Sequence, residues 1–192
     1  MSATKDSIII LPDKHLRLKS KRVPVVTDQI RQIVTDMIDA TVDWETSREH
    51  EVGVALAAVQ IDKLYKIIIV RNDFENKDDK TFHVFINPEI MKLEGELKED
   101  YEGCLSVTDI YGKVPRYEKV RVRAMDQTGQ TIRVKAEGFL ARVFQHEVDH
   151  INGKMFVDHL RGKKDAFYKL TDDGKLEPIS YEEVEKSRIL EG

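Results

Sequence analysis

The sequence His-Glu-Val-Asp-His at positions 146–150 constrains this chain more than any other stretch. It lies within residues 138–153, which are predicted to form one helix. Residues four apart share a helix face, so His146 and His150 can bind one metal ion together. Glu147 is rotated roughly 100° around the axis, which suits contact with a water bound to that metal. Two ligands and a general base on one helix are typical of zinc hydrolases.

A short motif of this kind also occurs in ordinary helices, where both histidines are solvated. The preceding turns argue against that alternative, because Phe139, Arg142 and Val143 fall on the same face as His146. This face is therefore predicted to be largely buried. Two buried histidines need polar or metal partners.

Length and composition predict one globular domain. The chain has 192 residues, of which 41% are hydrophobic, and five prolines. Its formal charge of −4 gives no nucleic-acid signature, and no apolar run approaches a membrane span. The N-terminal residues lack the apolar core of a signal peptide. A single cysteine excludes an intramolecular disulfide, which favours a reducing cytoplasm.

Hydrophobic periodicity predicts a mixture of helices and strands. Helices are predicted at 27–43 and 138–152, and a short one at 181–189. The predicted strands are 8–11, 66–70, 82–86 (ended by Asn87-Pro88), and a hairpin of 120–125 with 131–136. We assign residues 1–160 to the catalytic domain and 161–192 to a charged C-terminal extension.

A catalytic metal site usually takes three protein ligands. A metzincin would place its third histidine at the position of Phe156, so that family is excluded. A thermolysin-like metallopeptidase would use a downstream glutamate, and the tail offers Glu177, Glu182, Glu183 and Glu185. These glutamates lie in a charged segment with few apolar residues that could pack it against the domain and fix their positions.

Cys104 is the other candidate for the third ligand. A lone intracellular cysteine is usually a small buried hydrophobe. Gly103 precedes it, however, and allows close approach of the backbone. A thiolate beside two imidazoles forms a tetrahedral site suited to iron(II) or zinc.

Three stretches together resemble the signature motifs of the peptide deformylase family. They are residues 53–60 (GVALAAVQ), 102–106 (EGCLS) and 145–150 (QHEVDH), in matching order and spacing. The resemblance extends from about Ile9 to His159. It implies an α+β fold in which antiparallel strands wrap around a central metal-bearing helix.

The resemblance implies removal of the N-formyl group from the initiator methionine of nascent polypeptides. One divalent metal ion is implied, with Fe²⁺ expected in the cell and Zn²⁺, Ni²⁺ or Co²⁺ as alternatives. The implied partners are N-formylmethionyl peptides, with ribosome association as a further expectation. A bacterial-type cytoplasm is the expected location, with an organelle as the alternative.

The residues of the resembling motifs have implied roles. The metal ligands are Cys104, His146 and His150, and Glu147 is the general base. The side chain of Gln60 and the backbone N–H of Leu105 bind the developing oxyanion.

Substrate binding is expected along one apolar slot. Val54, Phe139 and Val143 are predicted to line it, with Arg142 at its mouth, although core packing is an equal alternative for Phe139 and Val143. The segment Gly53 to Ala55 is expected to flank an extended peptide.

Two positions depart from the family pattern. Ala55 stands where glycine is usual, and Thr108-Asp109 stands where proline and glycine are common. A methyl at Ala55 narrows the substrate path, and would be strained if the backbone needed a positive φ. These departures leave open a catalytically weak, peptide-binding relative.

Overall fold

A computed structural model, which describes residues 2–191, has one antiparallel sheet and three α-helices. The helices are α1 (Asp28–Thr46), α2 (Gly138–Ile151) and α3 (Tyr181–Lys186). The strands are β1 (Ala55–Ala57), β2 (Ile67–Arg71), β3 (Phe82–Cys104), β4 (Val107–Met125), β5 (Thr131–Glu137), β6 (Phe167–Leu170) and β7 (Leu176–Pro178). Their order is β1-β2-β3-β4-β6-β7, with β5 paired to β4. Helix α2 packs against β1 to β5, which confirms the predicted α+β fold around a central helix.

Helix α1 forms where the apolar spacing predicts it. The Thr27 side chain accepts a hydrogen bond from the Ile30 N–H and caps the helix. One face buries Ile30, Val34 and Met37 against β1 and β2. The helix continues beyond the predicted end to Thr46, which carries Glu45 into the interior.

Strand β3 does not end at Asn87-Pro88, so the predicted break is wrong. Asn87 adopts φ 53° within a register shift against β4. Its side-chain amide donates to Val23 O and accepts from Val23 N–H, both at 2.8 Å. These bonds replace lost ladder partners, so the bulge is accommodated and β3 runs on to Cys104.

Residues 8–11 form no strand, contrary to the prediction. Their backbone bonds go to two separate segments, because Ile9 N–H donates to Gln60 O and Leu11 N–H to Ser106 O. The segment therefore links the loops of the first two motifs instead of pairing with one neighbour.

The predicted hairpin is confirmed and leads directly into the metal-bearing helix. Strand β5 pairs with β4 from Lys119↔Glu137 to Met125↔Thr131. Gly138, at φ 59°, then turns the chain from β5 into α2 without an intervening loop. The position of α2 is thus set by the sheet.

Residues 162–191 form more regular structure than their charge suggests. Strand β6 extends the sheet by pairing Phe167 with Gly112 of β4, and α3 covers part of the 181–189 prediction. Phe167, Val184 and Ile189 lie in an apolar cluster with Leu16 and Leu160. The boundary at residue 161 stays a prediction. Of the helices described, none combines the length and apolar character that a bilayer span requires.

We expect Phe167→Ala to lower the free energy of unfolding by about 3–5 kcal/mol, because it removes a fully buried ring. Urea denaturation measures this. Leu176→Ala, at a partly exposed position of β7, is the control and should cost much less. Equal small losses in both variants would show that the tail is not integral to the core.

Candidate metal centre

Helix α2 and the end of β3 bring three ligand atoms together. The Nε2 atoms of His146 and His150 are 3.1 Å apart, and Cys104 Sγ lies 3.3 Å from His150 Nε2. All three ligand atoms lie within 4.8 Å of one another. The i, i+4 spacing on α2 accounts for the histidine pair, and the continuation of β3 past Asn87 accounts for the cysteine.

The donor set fits one divalent metal ion. Tetrahedral bonds of the usual length to nitrogen and sulfur place neighbouring donors about 3.3–3.6 Å apart. The two separations that involve His150 Nε2, 3.1 Å to His146 and 3.3 Å to Cys104, are close to these values. Nitrogen and thiolate donors suit iron(II), zinc and similar ions. Cys104, His146 and His150 can therefore hold a single metal ion.

Glu102 orients His146. Its Oε2 lies 2.9 Å from His146 Nδ1, which must donate because a carboxylate only accepts. The opposite nitrogen, Nε2, is then left with its lone pair directed to the ligand cluster. Burial opposes the charge on Glu102, but hydrogen bonds from His146 and Arg116 outweigh it and hold its pKa well below the usual range.

Two arginines neutralise the buried Glu102. Arg116 donates to both of its oxygens at 2.9 and 3.1 Å, and Arg142 donates to Oε1 at 2.7 Å. The Arg142 guanidinium also donates to the carbonyls of Val114 and Lys98. Arg142 also lines the cleft. Its guanidinium is fixed there by Glu102 and by two backbone carbonyls.

Glu147 is buried beside the ligands. Its Oε2 has no hydrogen-bond partner among residues 2–191. Burial raises its pKa to about 7. A carboxylate with this pKa can exchange protons near neutral pH, as a general base requires.

Gln60 follows β1 in a short 3-10 turn, Ala58–Ile61. Its Oε1 accepts from Ala57 N–H at 2.8 Å, which fixes the amide group. Its Nε2 lies 3.1 Å from Ser106 Oγ and 3.4 Å from Cys104 Sγ. The donor end therefore lies next to the ligand cluster.

A cleft of about 280 Å³ opens beside these residues. Most of the predicted site lines it: Val54, Ala55, Gln60, Cys104, Leu105, Phe139, Arg142, Val143, His146 and Glu147. Gly53 instead lies behind the wall, against Thr41 of α1. Several lining residues outside the three motifs are not predicted from the sequence: Trp44 of α1, His50 and Glu51 of the segment after α1, Tyr101 of β3 and Tyr111 of β4.

The two departures from the family pattern are accommodated locally. Ala55 lies in extended strand β1 and not in the positive-φ region, so the anticipated strain does not arise. Asp109 does adopt a positive φ of 56°, a conformation that aspartate tolerates better than most residues. Its carboxylate accepts from Arg48 at 2.6 Å.

The fold and the site, in which Cys104, His146 and His150 can hold one metal ion, are those of a metal-dependent hydrolase. The family model described as polypeptide deformylase matches residues 5–166. The chain belongs to the polypeptide deformylase family.

Relatives and solved structures agree with this assignment. The chain is 44% identical to peptide deformylase 1 of Pseudomonas syringae pv. tomato, covering 82% of this chain and 88% of the relative. It is 42% identical to a peptide deformylase of Stutzerimonas stutzeri, covering 90% and 95%. A crystal structure of a peptide deformylase from Synechococcus elongatus in complex with actinonin has a TM-score of 0.73 at 35% identity, covering 81% and 80%.

The thermolysin-like alternative is not supported. Among residues 2–191, the group that could hold a metal with both histidines contains Cys104 and none of the tail glutamates. The family assignment likewise favours deformylase activity over a weak peptide-binding role.

Proposed function

We propose that this chain hydrolyses the N-formyl group of N-formylmethionyl peptides as they emerge in protein synthesis. The observation that carries this is the cluster of Cys104, His146 and His150 beside the buried carboxylate of Glu147. Hydrolysis of formyl-Met-Ala-Ser should release formate and a free amine in equal amounts. Release of alanine or serine instead would indicate a peptidase.

Cys104, His146 and His150 hold one divalent ion, with Fe²⁺ as the proposed ion in the cell and Zn²⁺, Ni²⁺ or Co²⁺ as alternatives. When bound, such an ion lowers the pKa of a coordinated water by several units and polarises the formyl oxygen. Support comes from the mixed nitrogen and sulfur donors and their spacing.

Glu147 accepts a proton from the attacking water and passes it to the amine nitrogen as the C–N bond breaks. Formate and a free N-terminus result, and Glu147 is regenerated as a carboxylate. Gln60 Nε2 and the Leu105 N–H donate to the oxyanion that develops on the formyl oxygen. The position of the Gln60 amide beside Cys104 supports this role.

The methionine side chain lies in the cleft against Val54, Phe139 and Val143, with the stem of Arg142 as a further wall. Burying an unbranched thioether side chain stabilises the complex by roughly 1.5–3 kcal/mol. The peptide backbone pairs with β1 beside Ala55, at the end strand of the sheet. Gly53, which is also predicted to flank the peptide, is not available, because its N–H and C=O are bonded to Glu45 and Arg71.

We expect Gln60→Glu to lower kcat by about 10²–10³-fold, the usual effect of losing one oxyanion donor. The new carboxylate can still accept from Ala57 N–H, so the loop should keep its position. Formate release at equal metal content measures the effect. Unchanged kcat would remove the Gln60 amide from the mechanism.

We further propose a bacterial-type cytoplasmic location with ribosome association, an organelle being the alternative location. Bacterial relatives from Pseudomonas syringae and Stutzerimonas stutzeri support the bacterial type. The net charge of −4 gives no nucleic-acid signature, so an association would depend on a local surface. Co-sedimentation with purified ribosomes at increasing salt tests it.

A further inference from the structure

The backbone of Gly53 is held by two side chains instead of by a neighbouring strand. The last backbone bond at this end of the β1–β2 pair runs from Arg71 N–H to Val54 O at 2.8 Å. Beyond it, Gly53 N–H donates to Glu45 Oε2 and Gly53 O accepts from Arg71 Nε, both at 3.0 Å. Glu45 and Arg71 also form an ion pair with each other.

This ion pair is fully enclosed. The side chains of Arg71 and Glu45 are 0% and 1% exposed. Taking two charges out of water is costly, and apolar residues of similar volume often stabilise a fold as well. What apolar residues could not supply is a partner for the buried N–H and C=O of Gly53. The pair therefore satisfies backbone groups that the sheet leaves without partners.

The loop of residues 72–80 closes over the pair. Lys80 Nζ lies 2.5 Å from Glu45 Oε1, and Arg71 Nη1 donates to Asp79 O at 2.6 Å. Burial opposes the charge on Glu45, but the hydrogen bonds from Lys80 and Gly53 N–H hold its pKa below the ordinary value.

Gly53 is also pressed against α1. A Cβ at this position would lie 2.5 Å from Thr41 Cγ2 and 3.2 Å from Thr41 O. Helix packing on one side and two side-chain hydrogen bonds on the other leave this residue little freedom. The next two residues, Val54 and Ala55, line the cleft.

We propose that Glu45 and Arg71 are positioning residues for the peptide substrate, because they fix Gly53 and thereby the cleft-lining segment Val54 to Ala55. This inference rests on the proposed function. Neither residue lines the cleft, so they act through β1. A substrate displaced by about 1 Å can lose about 10²-fold in rate, which makes the placement of this strand consequential.

Arg71→Lys tests the proposal. Lysine keeps a positive charge beside Glu45 but lacks the fixed fork of donors that reaches both Glu45 and Gly53 O. We expect the KM for formyl-Met-Ala-Ser to rise about 10-fold, the equivalent of one lost charge-assisted hydrogen bond. The KM for formyl-methionine should change much less, because this substrate has no following residues to pair with β1. Metal content should be unchanged, and amide hydrogen exchange at residues 53–57 should become faster.

Arg121→Lys is the matched control, since Arg121 pairs with Glu94 through two donors on an exposed part of β4. It should alter neither KM. If Arg71→Lys does not fold, Lys80→Ala tests the proposal instead, because the Lys80 side chain is 42% exposed. Lys80 bonds to Glu45 Oε1 and to Lys77 O, and leaves the Glu45 Oε2 that accepts from Gly53 N–H untouched. Lys80→Ala should raise the KM for the tripeptide selectively, by a smaller factor.

An equal rise in KM for both substrates would contradict the proposal and leave Glu45 and Arg71 a purely structural role. Faster amide hydrogen exchange at residues 53–57 with an unchanged KM for the tripeptide would lead to the same conclusion. A wild-type protein that releases formate from neither substrate would overturn the proposed function itself. The two failures are therefore distinguishable in one set of assays.

Discussion

Replacing Glu147 with glutamine is expected to lower kcat by at least about 10²-fold while leaving the metal bound. Glutamine keeps the size of the side chain but cannot accept the proton from the attacking water. Glu147 is buried, with an oxygen that has no partner among residues 2–191, so bulk solvent should not substitute easily for it. Steady-state formate release, normalised to bound metal, measures the effect.

Glu137→Gln provides the matched control for this variant. Glu137 precedes α2 by one residue and its side chain is 68% exposed. The same chemical change there should leave kcat close to wild type. A near-wild-type kcat for Glu147→Gln would remove Glu147 from the mechanism.

Cys104→Ser is expected to remove most of the bound metal and, with it, most of the activity. Serine is close in size, but its hydroxyl is a far poorer ligand than a thiolate for iron(II) or zinc. The protein should stay folded, because the Cys104 side chain is only partly buried at the end of β3. Metal analysis and circular dichroism on the same sample separate metal loss from unfolding.

Ser106→Ala, two residues further along, is the control for Cys104→Ser. It removes the hydroxyl partner of Gln60 but leaves all three ligand atoms in place. It should retain its metal. Full metal occupancy in Cys104→Ser would show that the thiol is not a ligand.

The metal-bearing helix could be predicted from the sequence because its information is local. The spacing of His146 and His150 places both imidazoles on one face, whatever surrounds the helix. Cys104 is predicted as a ligand only through its motif, which specifies a position in the chain and not a distance to the histidines. Its approach to α2 depends on β3 continuing through Asn87.

Other features depend on tertiary partners that no local pattern reveals. Glu102 orients His146, and its buried charge is balanced by Arg116 of β4 and Arg142 of α2, which lie elsewhere in the sequence. Asn87-Pro88 wrongly predicts a strand end, because the bonds that compensate for the bulge go to Val23, far along the chain. The isolated apolar residues of the tail give no periodic signal, although Phe167 and Val184 are fully buried.

Titration of metal-free protein with iron(II) under anaerobic conditions tests the central claim most directly. Formate release from formyl-Met-Ala-Ser is followed at each addition. Our account predicts that activity rises in proportion to added metal and reaches its plateau at one ion per chain, set by Cys104, His146 and His150. Activity that is already full without metal, or that shows no break at one equivalent, would contradict it.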